Sequence, residues 1–429
     1  MTGAEQAAEA DDDVNIITLG CRLNTYESEA MRALARDAAL RDAVIVNTCA
    51  VTGEAVRQAR QAIRRARRDR PDAEIIVTGC AAQIDPDSFA AMPEVSRVIG
   101  NAEKMRPESF ASNVSHERVA VSDIMAVREN APHLIDGYAT RARAYVQIQN
   151  GCDHRCTFCI IPFGRGNSRS APAGDVVAQV RQLVDAGAPE IVLTGVDLTS
   201  WGADLPGAPE LANLVARILK LVPELPLLRL SSLDAIEISP ALFELIAHEP
   251  RIAPHLHLSL QHGADLILKR MKRRHSREES IDLCARLKAV RPEIAFGADL
   301  IAGFPTETDA HFEDTLSLIE ACNLSYVHAF PFSAREGTPA ARMPQLGSSV
   351  VKERAARLRA AGAAALTRHL DRWVGREADA LIEREGAARL NDFTQAYVPA
   401  SEPVGRTRLR FLGHDGRQLN SEPVTGEPA

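Results

Sequence analysis

The sequence predicts an α/β protein in three parts: an N-terminal open parallel α/β domain, a central partial (βα)6 barrel and a small C-terminal all-β barrel. Apolar strands and amphipathic helices alternate from residue 14 to about residue 130, which indicates a parallel sheet. A second series of six βα units begins at Arg143. After Trp373 the pattern changes to short strands separated by turns, which is typical of a small barrel. A chain of 429 residues is long enough for three such domains.

The composition limits the classes of function. A hydrophobic content of 45% and a charged content of 25% are ordinary for a globular protein. The formal net charge of −7 argues against binding nucleic acid through overall charge, although a local basic patch can still do so. Eight cysteines are too few for a disulfide scaffold, and we see neither a secretory signal nor a run of 18 apolar residues. We therefore expect a cytoplasmic protein with no membrane partner.

Domain bounds follow from changes in pattern along the chain. Residues 1–13 are acidic and rich in alanine, so we expect a disordered lead-in. The N-terminal α/β domain is predicted over 14–130, the partial barrel over 138–369 and the β-barrel over 370–429, with a linker at about 131–140.

Each of the first three predicted strands is directly followed by a cysteine. The predicted strands of this domain are Val14–Leu19, Val44–Thr48, Glu74–Gly79 and Arg97–Gly100, with helices at Leu23–Ala38 and Gly53–Arg68. The cysteines are Cys21, Cys49 and Cys80. Because ligands bind at the carboxyl ends of strands in open α/β sheets, we expect the three thiols to converge on one site. The alternative is three ordinary buried cysteines.

The central region has six predicted strands, which are too few to close an eight-stranded barrel. They are Tyr145–Gln149, Glu190–Thr194, Leu227–Leu230, His255–Leu260, Ala295–Ile301 and Tyr326–Phe330. The first of them leads into a C-x3-C-x2-C motif formed by Cys152, Cys156 and Cys159. Three thiolates on a short loop can hold three corners of a 4Fe–4S cluster and leave one iron open for a substrate. The alternative is a structural zinc loop, for which His154 could supply a fourth ligand.

These motifs together resemble the radical S-adenosylmethionine (SAM) methylthiotransferase family. The resemblance covers almost the whole chain. The matching stretches in the N-terminal domain are Thr18–Ser28, Asn47–Cys49 and Thr78–Cys80; those in the barrel are Asn150–Pro162, Gly164–Gly166, Thr194–Leu198, Leu230–Ser232, Leu258–Gly263 and Ala298–Pro305. The tail resembles a TRAM domain, an RNA-binding β-barrel.

The resemblance implies two 4Fe–4S clusters, SAM and a reducing electron donor. The cluster on Cys152, Cys156 and Cys159 would bind SAM and generate a radical that takes hydrogen from the substrate. A second cluster, on the three N-terminal cysteines, would present a methylated sulfur from a donor that the sequence does not identify. The residues expected to contact SAM follow the strand ends and are Thr194, Gly195, Asp197, Ser232 and Gln261.

Within the family, the chain is most similar to the branch that acts on N6-threonylcarbamoyladenosine beside the tRNA anticodon. The stretches Ile161–Arg169 and His328–Pro339 support this branch. The alternatives are another tRNA adenosine of the isopentenyl type, a ribosomal-protein aspartate, or a non-catalytic zinc and RNA-binding protein. The partner expected from the resemblance is tRNA.

The chain also contains two arginine-rich segments and two further cysteines. Arg57–Arg70 contains seven arginines, which form either a solvated helix face or a contact with the anticodon stem. Arg406, Arg408 and Arg410 alternate along a predicted strand and should share one face. Cys284 and Cys322 fall within apolar helical patterns, so we expect them in the core.

Overall fold

The computed structural model describes residues 14–111, 117–128, 142–400 and 402–424. These residues form two compact units. Unit 1 comprises 14–111, 117–128, 147–171 and 333–341, and unit 2 comprises 142–146, 172–332, 342–400 and 402–424. The expected lead-in at 1–13 and the expected linker at about 131–140 lie outside the described residues. Among the described helices, none is both long and apolar enough to cross a membrane.

Unit 1 is built on a parallel sheet in the order β1-β2-β3-β4-β5. Its strands are β1 (Val14–Thr18), β2 (Ala43–Thr48), β3 (Glu74–Gly79), β4 (Arg97–Ile99) and β5 (Val119–Ala120). All six residues of β2 are buried, as expected for a parallel strand that is covered on both faces. The four predicted strands are confirmed. The fifth was not predicted because two residues are too short to show a periodicity.

Helices connect these strands and cover the sheet. They are α1 (Arg22–Asp37), α2 (Gly53–Asp69), α3 (Cys80–Ile84) and α4 (Pro86–Ala90). In α1 the buried side chains of Leu23, Tyr26, Ala30 and Met31 recur at helical spacing. The hydroxyl of Thr52 caps α2 by accepting a hydrogen bond from the backbone N–H of Ala55 at 3.1 Å. The two helices predicted from sequence are confirmed.

After β6 (Ala144–Gln147) the chain contributes a short cysteine-bearing segment to unit 1. This segment contains β7 (Gln149–Asn150), α5 (Ile161–Arg165) and β8 (Arg169–Ser170), and β7 pairs antiparallel with β8. The loop between β7 and α5 carries the C-x3-C-x2-C motif.

Unit 2 contains the predicted βα series as parallel strands in two neighbouring sheets. The strands are β9 (Ile191–Thr194), β10 (Leu228–Leu230), β11 (Ser232–Leu233), β12 (His255–Gln261), β13 (Ala295–Ala302) and β14 (Leu324–Pro331). One sheet has the order β10-β9-β6 and the other β11-β12-β13-β14. Only Ser231 separates β10 from β11, so these two short strands occupy one position and join the two sheets. Together the sheets form an array of six parallel strand positions, which we call the parallel array. This arrangement confirms the predicted partial (βα)6 barrel.

The helices of unit 2 alternate with these strands. They are α6 (Ala173–Asp185), α7 (Leu211–Leu221), α8 (Pro240–His248), α9 (Asp265–Met271), α10 (Arg277–Val290), α11 (Asp309–Ala321) and α12 (Ser348–Asp371). The side chain of Val327 in β14 packs against Gly362 of α12, where an added Cβ would lie 2.8 Å from the Cβ of Val327. Because side chains alternate along a strand, the residue after Val327 points to the opposite, concave face of the sheet.

The tail forms a closed barrel in the order β15-β16-β17-β19-β18, which confirms the predicted small all-β barrel. Its strands are β15 (Glu377–Arg384), β16 (Ala387–Leu390), β17 (Gln395–Tyr397), β18 (Gly405–His414) and β19 (Leu419–Pro423). The sequence pattern predicts strands at Glu377–Ile382, Phe393–Pro399 and Thr407–Leu412, which correspond to β15, β17 and β18, so β16 and β19 were not predicted. In β19 the two residues that face the core are Leu419 and Ser421, which is too weak a pattern to identify a strand.

A loop of this tail barrel closes the amino-terminal end of the parallel strands in unit 2. The ring of Phe393 stacks on His255, the first residue of β12, with 4.8 Å between ring centroids. Guanidinium carbons of Arg389, Arg229 and Arg143 lie 4.2, 5.1 and 5.5 Å from the centroid of the same ring. We call Phe393 with these four residues the barrel floor. The tail barrel is therefore packed into the floor of the parallel array.

Glu190 anchors two of these arginines. Its Oε1 atom accepts a hydrogen bond from Nε of Arg229 at 2.5 Å and forms an ion pair with Nε of Arg143 at 2.9 Å. Burial alone would raise the pKa of Glu190, but the charges of Arg229 and Arg143 lower it to about 2. The buried carboxylate is thus ionised and paired, as a buried charge must be.

Candidate cofactor site

The three N-terminal cysteines follow neighbouring strands at one edge of the sheet in unit 1. Cys21 directly precedes α1, Cys49 follows β2 and Cys80 is the first residue of α3. The strands are paired in parallel, with Thr18 opposite Asn47 and Thr48 opposite Gly79, so their carboxyl ends lie level. Cys49 and Cys80 are buried and Cys21 is exposed.

The thiols of this set interact electrostatically. A Cβ added to Gly20 would lie 3.0 Å from the Sγ atom of Cys49, so the backbone next to Cys21 contacts the second thiol. Burial, together with the nearby Cys80 and Cys21, raises the pKa of Cys49 to about 12. Three thiolates that interact in this way repel one another unless cations lie between them, and an iron–sulfur cluster supplies such cations. The donor set therefore fits a metal cluster.

Gly79 shapes the loop that carries Cys49 and Cys80. Its φ of +95° lies in a region that favours glycine, and an added Cβ would lie 2.3 Å from the backbone oxygen of Thr48. Relieving this overlap requires the backbone before Cys49 or before Cys80 to move. The same backbone feature precedes Cys21 and Cys152, at Gly20 and Gly151.

We expect Gly79→Ala to lose about four irons per chain from the reconstituted protein, because one cluster site of four irons is distorted. The measurement is iron content after anaerobic reconstitution. Gly187→Ala is the matched control, because Gly187 also has a positive φ of +87° but an added Cβ there contacts nothing within 4 Å. Equal iron content in the two variants would contradict the prediction.

The second cysteine set lies on the loop between β7 and α5. The backbone N–H of Cys152 donates to the oxygen of Gly166 at 3.1 Å, and that of Cys159 donates to the oxygen of Cys156 at 3.1 Å. Cys152, Cys156 and Cys159 are all half-buried. Backbone hydrogen bonds thus hold a short loop whose three thiols remain partly accessible, which fits a cluster with an open iron position.

A buried polar network joins the segments that follow the two cysteine sets. Glu27 in α1 accepts hydrogen bonds from Nζ of Lys104 at 2.6 Å and Nη1 of Arg165 at 2.7 Å. Arg165 at the end of α5 also donates from Nη2 to Oδ1 of Asn24 at 2.6 Å and from Nη1 to Oδ1 of Asn150 at 3.1 Å. We call Glu27, Lys104 and Arg165 the charged triad. It holds α1, which begins after Cys21, to α5, which begins after Cys159.

The charged triad has one more cation than anion. All three side chains are almost completely buried. Burial alone would raise the pKa of Glu27, but Arg165 and Lys104 lower it to about 2. One buried positive charge is therefore left without a carboxylate partner within the triad, in the part of unit 1 that carries the thiols. A positive field favours thiolates and an anionic cluster.

Asn101 and Gly164 bring the two cysteine-bearing loops into direct contact. The side-chain amide of Asn101 donates to the backbone oxygen of Gly164 at 2.5 Å and lies 3.9 Å from the Sγ atom of Cys80. An added Cβ on Gly164 would lie 3.1 Å from the Cβ of Cys80. No role was predicted from the sequence for Asn101 or for the charged triad, although Glu27, Gly164 and Arg165 belong to stretches that carried the resemblance.

The five residues expected to contact SAM lie in unit 2 along the carboxyl ends of its strands. Thr194 is the last residue of β9 and is buried, and Gly195 follows it. Ser232 begins β11 and is exposed, and Gln261 ends β12 with a φ of +67°. Asp197 accepts a hydrogen bond from the hydroxyl of Ser200 at 2.7 Å, so it also stabilises the turn that follows β9. Their role in binding SAM stays a prediction.

The other cysteines and the arginine-rich segments have structural contacts. Cys284 and Cys322 are buried in the core of unit 2, as predicted. In α2, the guanidinium of Arg67 donates to the backbone oxygens of Glu94 and Ala73. The arginines of β18 share one exposed face, as predicted, where Arg408 and Arg410 both pair with Glu377. These contacts favour a structural role for much of the basic charge.

Two family models match the chain. The Radical SAM superfamily matches residues 146–319, which include the C-x3-C-x2-C loop and most of the parallel strands of unit 2. The uncharacterized protein family UPF0004 matches residues 13–100, which include the three N-terminal cysteines. Each match thus contains one of the two cysteine sets.

Curated relatives match over most of their own length. The threonylcarbamoyladenosine tRNA methylthiotransferase MtaB of Rickettsia prowazekii is 52% identical, over 91% of this chain and 92% of the relative. The MtaB protein of Bacillus subtilis is 38% identical, over 80% and 78%. A tRNA-2-methylthio-N(6)-dimethylallyladenosine synthase of Cereibacter sphaeroides is 35% identical, over 86% and 87%.

Proposed function

The chain belongs to the radical-SAM tRNA methylthiotransferase family, and we propose that it adds a methylthio group to C2 of N6-threonylcarbamoyladenosine next to the tRNA anticodon. The observation that carries this conclusion is the 52% identity, over nine-tenths of both chains, to an enzyme named for that nucleoside. The relative named for dimethylallyladenosine is only 35% identical, so dimethylallyladenosine is the second candidate substrate.

Membership of this family implies a 4Fe–4S cluster and SAM. We propose that Cys152, Cys156 and Cys159 hold this cluster, because they are the half-buried thiols of one hydrogen-bonded loop. When bound, the cluster and SAM supply an electron and a radical able to remove hydrogen from an unactivated carbon. The chain itself positions the thiols through the loop, and Thr194, Gly195, Asp197, Ser232 and Gln261 are the proposed SAM contacts.

A second 4Fe–4S cluster on Cys21, Cys49 and Cys80 is also part of the proposal. The proximity of the three thiols and the excess positive charge of the charged triad support it. Asn101 and Arg165 would fix this site relative to the C-x3-C-x2-C loop, because they bind both segments. The substrate partner is tRNA, an external reductant supplies electrons, and a cytoplasmic location stays a prediction.

The function is tested by product analysis on two synthetic anticodon stem–loops, one with threonylcarbamoyladenosine and one with dimethylallyladenosine. We expect reconstituted enzyme with SAM and a chemical reductant to form a methylthio nucleoside, identified by mass spectrometry, from the first stem–loop only. Product from the dimethylallyl stem–loop alone would replace the proposed substrate. Failure to form product from either, with both clusters loaded, would overturn the activity.

A further inference from the structure

Two histidines and an aspartate form a hydrogen-bonded cluster on the concave face of the second sheet in unit 2. Oδ1 of Asp299 in β13 lies 2.9 Å from Nε2 of His257 in β12 and 3.1 Å from Nδ1 of His328 in β14. The two imidazole rings lie 4.8 Å apart between centroids. We call these three residues the imidazole cluster. Each comes from a different strand, so the sheet itself holds the arrangement.

The hydrogen bonds to Asp299 fix the orientation of the His257 and His328 rings, and thus the position of the ring nitrogen that does not face Asp299. Burial alone would raise the pKa of Asp299, but the hydrogen bonds from His257 and His328 hold it well below its usual range. An ionised carboxylate only accepts hydrogen bonds, so the two nitrogens that face it carry protons. For His328 this leaves Nε2 as the outward-facing nitrogen. The side chain of His328 is 61% exposed, whereas that of His257 is 9% exposed.

The neighbours of the cluster hold His257 in a close-fitting position and supply an aromatic surface. His257 occupies the space beside Gly297, where an added Cβ would lie 2.8 Å from Nδ1 of the imidazole. The half-buried ring of Phe330 lies 6.5 Å from that of His328, with an angle of 84° between the ring planes. Half-buried aromatic and imidazole rings are surfaces on which unpaired nucleobases stack.

The cluster also lies beside Ser232, one of the residues proposed to contact SAM. Ser232 of β11 is the parallel partner of His257, whereas Gln261 is the partner of Leu300, which follows Asp299 and therefore points to the opposite face. Registered partners in neighbouring strands point to the same face of a sheet. A substrate that meets SAM along these strand ends therefore lies within reach of the cluster.

We propose that the imidazole cluster binds the carboxylate of the threonylcarbamoyl group, with His328 donating from Nε2 to that carboxylate. This inference rests on the proposed function, because only that substrate brings a free threonine carboxylate to the site. In the proposed complex His328 donates from Nδ1 to Asp299 and from Nε2 to the substrate carboxylate, so it bridges the two carboxylates. The hydrogen bond between His328 and Asp299 fixes the imidazole ring, as a carboxylate does for a histidine in hydrolase triads. His328 is thus a substrate-specificity residue and Asp299 a positioning residue.

The test compares two anticodon stem–loops that differ only in the carboxylate: one carries threonylcarbamoyladenosine and the other its methyl ester. We expect reconstituted wild-type enzyme to bind the acid roughly 10- to 100-fold more tightly than the ester, as expected for a charge-assisted hydrogen bond. In His328→Gln the preference should disappear while affinity for the ester and iron content stay unchanged. Steady-state kinetics on the acid should show a higher KM at unchanged kcat. His248→Gln is the matched control, because His248 is an exposed histidine of α8 paired only with Glu244 at 3.5 Å in the described part of the chain.

Three results distinguish the possibilities. Full preference for the acid in His328→Gln would overturn the inference while leaving the proposed function intact. One equivalent of a non-iron divalent metal in wild type, lost in His328→Gln, would show that the cluster is a metal site instead. A wild-type enzyme that forms no methylthio product and does not distinguish acid from ester would overturn the proposed function together with this inference.

Discussion

Replacing Cys152, Cys156 and Cys159 by alanine is expected to lower the iron content of the anaerobically reconstituted protein from about eight to about four per chain. The physical reason is that each set of three thiols holds one four-iron cluster and neither set can replace the other. The N-terminal thiols lie at the ends of three parallel strands, and the second set lies on a separate hydrogen-bonded loop. Iron and acid-labile sulfide are counted in the same preparation, and the visible absorption confirms that the metal is in clusters rather than zinc sites.

The reciprocal variant, with Cys21, Cys49 and Cys80 replaced, is expected to keep about four irons as well. The matched control is Cys284→Ser with Cys322→Ser, which removes two buried thiols from the core of unit 2 and should keep about eight irons. If the wild type held four irons and the variant without Cys152, Cys156 and Cys159 held none, the N-terminal set would hold no cluster. The chain would then lack the second cluster that the proposed sulfur transfer requires.

Glu27→Gln is expected to destabilise unit 1 by about 3 to 5 kcal/mol, because it leaves Lys104 and Arg165 buried without a counter-charge. For a domain of about 150 to 250 residues, such a loss lowers the melting temperature by roughly 6 to 20 °C, and we expect the first calorimetric transition to fall by this amount. Hydrogen exchange followed by mass spectrometry should show faster exchange in α1, which carries Glu27 between Cys21 and the core. The pKa of Glu27 is lowered to about 2 from an ordinary 4.5. Ionised Glu27 therefore stabilises the folded state fully above pH 4.5, and this stabilisation is lost as the pH falls toward 2.

Two further variants sharpen this prediction. Asp37→Asn removes an exposed carboxylate from the end of the same helix and should change stability by less than about 0.5 kcal/mol. Adding Lys104→Met to Glu27→Gln should recover part of the loss, because it removes one of the two unpaired cations. If Glu27→Gln melted at the same temperature as Asp37→Asn, the charged triad would not stabilise unit 1.

The strands and cysteine positions could be predicted because their signals are local. Val44–Thr48 is an apolar run followed by Cys49, and the parallel sheet places such strand ends along one edge. The six βα units follow from the same alternation. The strand at Ala387–Leu390 escaped prediction because four residues between two turns show almost no alternation.

The charged triad could not be predicted because its members are far apart in the sequence. Glu27 lies 77 residues from Lys104 and 138 residues from Arg165, so no periodicity relates them. The imidazole cluster could not be predicted for a related reason. His257 and His328 lie on different strands from Asp299, and only the register of the sheet brings them next to it. Long-range pairing of polar side chains depends on the tertiary fold.

Because of the contacts in the barrel floor, we expect the tail barrel and the parallel array of unit 2 to be inherited together. A module attached by a free linker can be lost, exchanged or duplicated during evolution without changing its neighbour. Here Phe393 of the tail rests on His255 and among Arg143 and Arg229, which belong to the parallel array. A descendant that discarded the tail would open a polar, positively charged cavity at the base of that array. Homologues without an equivalent tail should therefore carry compensating substitutions at the positions of His255, Arg143 and Arg229. Homologues that keep these three residues should also keep the tail barrel.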